Sequence, residues 1–116
     1  MHPRSPKLLE DIRDAAQFIC AATAGQGLAD YSANRLLRLA VERNFEIIGE
    51  AVKRLSGLDP DTAAQLGAYP QIIAFRNVLI HGYDLVDHAL VWNAVEQQAP
   101  TLLSRIAALS GSPSAG

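Results

Sequence analysis

Between Ser32 and Ser56 the apolar residues recur at three- and four-residue steps, and this stretch limits the possible folds more than any other. Leu37, Val41, Phe45, Ile48, Val52 and Leu55 make one line, and Leu36, Ala40, Ile47 and Ala51 make a second beside it. Side chains at that spacing share one face of an α-helix. An apolar face this broad needs neighbours on two sides, so the stretch is expected to form the central helix of a bundle. Glu42, Glu46, Glu50 and Lys53 fill a narrow polar strip between the two lines.

The rest of the chain follows the same period. Leu8, Ile12, Ala15, Ile19 and Ala22 mark a first helix from Ser5 to Thr23, with Ser5 as its cap, Pro6 in its first turn and Gly25 and Gly27 breaking it. After Gly57, Asp59 and Pro60 start a short helix that stops at Gly67. Pro70 opens a fourth that ends at Gly82, and a fifth begins near Asp87, with Pro100 expected to kink or split it. No alternation of period two suggests a strand. The expected fold is all-α: an antiparallel four-helix bundle with one extra short helix, occupying residues 1–110, followed by a disordered tail at 111–116.

Composition narrows the function. A chain of 116 residues suits one domain. A chain of this size buries only about two-thirds of its unfolded surface, so a dimer interface would add stability. The net charge of −2 does not suit a general nucleic-acid coat and points to neither DNA nor a membrane. Any RNA contact must come from a local patch, for which Arg35, Arg38, Arg43 and Arg54 are candidates; a solvated helix face explains them equally well. The lone Cys20 forms no internal disulfide, reads as a small buried residue and fits a reducing cytoplasm. Charges at Glu10, Asp11, Arg13 and Asp14 interrupt any secretory signal, and no apolar run is long enough to span a bilayer.

Residues able to do chemistry gather in Arg76-Asn77-Val78-Leu79-Ile80-His81-Gly82-Tyr83. On a helix His81 lies roughly 140° around from Arg76, with Asn77 between them, and Arg76 is long enough to reach back towards the imidazole. The last helical turn favours a cation at His81. Arg76 has the planar fork of donors that clamps phosphate, and a histidine handles protons near neutral pH. The plainer reading makes these residues caps and surface contacts, with Tyr83 a half-buried anchor. Asp84, Asp87, His88 and His81 could be read as a metal cluster, but their spacing fits no specific motif and Asp87 serves as a helix cap. Glu46 and Glu50 could act as a carboxylate pair, although Glu50 pairs more simply with Lys53 or Arg54. Trp92 reads as packing, and His2 as part of a mobile terminus.

The segment from Arg76 to Tyr83 resembles the Arg-x4-His-x-Tyr signature of HepT-like toxins, within the HEPN superfamily. Ala40-Val41-Glu42-Arg43-Asn44-Phe45-Glu46-Ile47-Ile48-Gly49-Glu50-Ala51 resembles the family's second-helix block, and Tyr83–Asp87 with Val91-Trp92 the lead into its last helix. The resemblance implies a homodimer that brings two signature helices together and cleaves RNA with neither metal nor cofactor. It implies that Arg76 and His81 are catalytic, with Asn77 and Glu50 in support. It also implies that Tyr83 takes adenylate from a partner nucleotidyltransferase, the MntA-like antitoxin of a type VII toxin–antitoxin pair. Two other readings remain: a non-catalytic HEPN subunit that holds nucleotide or substrate for a nucleotidyltransferase, and a plain dimeric scaffold.

Overall fold

The computed structural model describes residues 1–82, 84 and 86–110, and among them every regular element is a helix. α1 spans Ser5–Thr23, α2 Leu28–Ala33, α3 Arg35–Leu58, α4 Pro60–Ala64, α5 Tyr69–His81 and α6 His88–Ser110. The four long helices match the expected ones. The short helices number two rather than one, because α2 precedes α3 as a separate element. The expectation of a disordered tail at 111–116 falls outside the described residues, as does Tyr83.

α3 is the central element. It packs against α1 on one side and α5 on another, with α2 and α4 at its ends, while α6 lies against α1 and α2. Leu37, Val41, Phe45, Ile48, Val52 and Leu55 are all buried, as that position requires. The second line is less uniform: Ala51 is buried, but Leu36 is 80% exposed. α1 delivers Leu8, Ile12, Ala15 and Ile19 to the same core, and α6 adds Val91, Val95, Leu102 and Ile106. Gly25, at φ +75°, turns the chain out of α1 in a conformation that side chains rarely adopt.

Several helix ends differ from expectation. Ser5 does not cap α1; it is the first helical residue, and its hydroxyl donates to Asp59 Oδ2 at 2.8 Å. The backbone N–H of His2 donates to the same oxygen at 3.0 Å, so the N-terminus is tied down rather than loose. Asp59 still caps α4 as expected, accepting from the Thr62 N–H at 3.2 Å. Asn34 caps α3, its Oδ1 accepting from the Leu37 N–H at 3.0 Å. Pro100 does not split α6, which runs through it. The proline is exposed, so water can take the carbonyl that its missing N–H leaves unpaired. No described helix is long and apolar enough to cross a membrane.

Candidate active site

α5 presents two different faces. Ile72 and Leu79 are buried, which anchors the helix. Ala74, Asn77, Val78 and His81 are exposed and fall at three- and four-residue steps along the opposite side. Arg76 lies on the flank towards α3, with its side chain only 18% exposed.

Arg76 is held on two sides. Its Nη2 donates to Glu50 Oε1 at 2.7 Å, and its Nη1 donates to Asn77 Oδ1 at 2.8 Å. Glu50 accepts a second, longer bond from Arg54 Nε at 3.2 Å. A hydrogen bond to a charged group contributes about 1.5–3 kcal/mol, whereas exposed helix pairs such as Arg54–Glu50 contribute about 0.3–0.5 kcal/mol. Glu50 therefore serves mainly to fix Arg76, and Arg54 is the looser partner. Two of the five guanidinium N–H groups are used in these bonds, and Nε, though buried, has no partner among the described residues. With Nε buried, the second N–H of each Nη is what Arg76 has left to offer beside its supports.

Gly49 makes this placement possible. A Cβ at that position would stand 2.1 Å from Arg76 Cβ and 2.5 Å from Arg76 Cγ, distances that no packing tolerates. α5 thus crosses α3 directly over a bare backbone, and the stem of Arg76 lies where a side chain would otherwise be. Phe45 and Phe75 pack edge to face beside this crossing, with ring centres 5.2 Å apart. Sequence reasoning singled out Glu50 but passed over Gly49. A glycine inside a helix costs stability relative to alanine, and that cost was the available signal.

His81 is the last residue of α5 and is exposed. No hydrogen bond or ion pair joins its imidazole to a described residue. The expectation that Arg76 reaches back to the imidazole is not met within one chain, because the guanidinium turns to Glu50 instead. Asn77 likewise orients Arg76 and not His81.

The other candidates take structural places. Asp87 Oδ1 accepts from the Ala89 N–H at 2.9 Å and so caps the start of α6. His88 meets the Tyr31 ring edge-on at 6.2 Å, and Trp92 packs on Tyr31 at 5.4 Å. Among the described residues no three His, Cys, Asp or Glu side chains gather as a metal site. Glu46 pairs with Arg43, and Arg38 Nη1 donates to the Ser32 carbonyl. A groove of about 290 Å³ opens between α1, α3 and α5, with Glu50 and Arg76 in its lining.

Comparison with known proteins places the chain in a family. A Methanocaldococcus jannaschii protein with a provisional ribonuclease name is 29% identical over 84% of this chain and 89% of its own length. A Thermococcus cleftensis protein named probable ribonuclease HepT is 32% identical over 81% of this chain and 84% of its own. A Caldanaerobacter subterraneus protein, also provisionally named a ribonuclease, is 29% identical over 84% of this chain and 87% of its own. No solved structure matches the chain significantly. The family model described as "Ribonuclease HepT-like" matches residues 12–109, and the chain belongs to that HepT-like ribonuclease family.

Proposed function

We propose that this protein is the ribonuclease toxin of a toxin–antitoxin pair, cutting RNA internally without a metal at a site shared by two subunits. The observation that carries this reading is the pairing of a fixed Arg76, its guanidinium only partly engaged, with an exposed His81 on the same helix whose imidazole has no partner among the described residues. RNA can be cut through its own 2′-hydroxyl. A base takes the 2′-OH proton, the 2′-oxygen attacks phosphorus, and the bond to the 5′-oxygen breaks as an acid protonates it. One chain supplies one motif histidine, and a two-fold dimer supplies both base and acid. Arg76 stabilises the charge that builds on the phosphate oxygens. The products are a 2′,3′-cyclic phosphate and a 5′-hydroxyl.

Exposed apolar side chains on the two helices of the site support dimerisation. Leu36 and Leu39 on α3 and Val78 on α5 are 80%, 53% and 40% exposed, and their burial against a second copy would be favourable. Tyr83, two residues beyond His81, is the acceptor for adenylate from a partner nucleotidyltransferase antitoxin. The added phosphate and base would block RNA by bulk and by charge.

The test is incubation of purified protein with total RNA and a chelator, beside His81→Ala and Arg76→Ala. Cleavage ending in cyclic phosphate, lost in both variants, supports the assignment. Equal cleavage by all three proteins refutes it, and binding without cleavage by the wild type assigns the chain to non-catalytic nucleotide or substrate holding. Mass spectrometry after reaction with the partner and ATP should find adenylate on Tyr83; modification elsewhere removes that part.

A further inference from the structure

The groove beside Arg76 has a composition that the proposed cleavage does not by itself explain. Its cations stand in a row along α3, with Arg43 at one end, Arg54 at the other and Arg76 lying over Gly49 between them. The three carboxylates of the lining already meet cations: Asp11 meets Lys7, Glu46 meets Arg43, and Glu50 meets Arg54 and Arg76. At 1.5 Å of rise per residue, Arg43 and Arg54 are separated by about 16 Å along the helix axis. Ile47 and Ile80 supply apolar surface between those cations. The outer arginines are only loosely engaged. Arg43 meets Glu46 at 3.4 Å with its side chain 70% exposed, and Arg54 meets Glu50 at 3.2 Å with its side chain 60% exposed. Exposed pairs of this kind contribute little and yield readily to a better-placed anion, whereas a guanidinium bonds phosphate through two parallel donors.

Resting on the ribonuclease reading above, we propose that this groove holds the single-stranded RNA on both sides of the phosphate at Arg76. Arg43 and Arg54 bind flanking phosphates, and a base lies against Ile47 and Ile80. Apolar surface between cations suits an unpaired strand, whose bases are free to turn inward; in a duplex those bases are stacked away. The arrangement also separates the arginines weighed from the sequence. Arg38 is committed to the Ser32 carbonyl and, like Arg35, is absent from the groove lining.

The experiment measures binding, so its failure is distinct from a failure of catalysis. A short labelled single-stranded RNA is titrated against the His81→Ala protein by fluorescence anisotropy over a range of salt concentrations. Arg43→Gln, Arg54→Gln, Ile80→Ala and, as a control away from the groove, Arg105→Gln are each added to that background. Each groove arginine variant should weaken binding several-fold and reduce the slope of log affinity against log salt by about 0.7. Ile80→Ala should weaken binding with the slope unchanged, and Arg105→Gln should change neither. Absence of RNA binding, unaltered affinity and slope in Arg43→Gln and Arg54→Gln, or equal affinity for a duplex would each overturn the proposal. Loss of cleavage by the wild type with these binding results intact would instead count against the catalytic reading alone.

Discussion

Asp59 accepts hydrogen bonds from the His2 N–H, the Ser5 hydroxyl and both the hydroxyl and the N–H of Thr62. These donors, the His2 N–H first among them, hold its carboxyl well below the usual aspartate range. A depressed folded-state pKa contributes stability above the unfolded value and loses it as pH falls through the folded one. Asp59→Asn should therefore lower Tm fully at neutral pH, and the gap to wild type should close as pH drops through and below the ordinary aspartate range. A gap that stays constant with pH would show that the charge is not what matters. Tyr31 poses the opposite case. Its ring is fully buried and its hydroxyl has no partner among the described residues, and burial, with the nearby Glu42 charge, pushes the phenol pKa up. Removing an unsatisfied buried hydroxyl relieves its desolvation cost. Tyr31→Phe should raise unfolding stability by about 1 kcal/mol in a denaturant titration, and a comparable loss would show that the hydroxyl is bonded after all. Asp59's cap on α4 is legible locally, but its bonds to His2 and Ser5 are not, and neither is the burial of Tyr31. Ser5 looked like a cap because capping rules read only adjacent positions, while its actual partner lies 54 residues away.

Long helices were legible and short ones were not. The 3.6-residue period marks the buried faces of α1 and α3, because a long apolar stripe has no other way to be buried, although it starts α3 three residues early. α5 is bounded instead by Pro70 and Gly82. α2 has six residues, too few to show a period, and Asn34 hides inside a pattern that continues on both sides. The candidate site divides in the same way. Arg76, Asn77 and His81 share one helix, and the resemblance to the family signature, more than their spacing, singles them out. The contact that fixes Arg76 joins residues 26 apart in sequence, and only the packing of α5 on α3 brings them together. Gly49→Ala tests that crossing. The new methyl group would force the helices apart at a cost of about 1–3 kcal/mol. RNA cleavage, measured well below the lowered Tm, should fall further than the folded fraction does. Full activity in a stably folded Gly49→Ala protein would mean that Arg76 does not depend on this close approach.

The molecule as a whole leaves its proposed chemistry unfinished. Within one chain Arg76 and His81 are both ordered on α5, yet nothing joins them, and only one imidazole from the signature is present. In the proposed dimer, Leu36, Leu39 and Val78, left exposed on α3 and α5, would meet the second copy that completes the site. A shared site makes a quantitative demand: both His81 side chains must be intact in each functional dimer. Wild type and His81→Ala, unfolded together and refolded at varied ratios with total protein constant, assort at random into dimers. Cleavage per milligram should then decline as the square of the wild-type fraction. A decline in direct proportion to that fraction would mean that each subunit works alone, and the account of a composite site would be wrong.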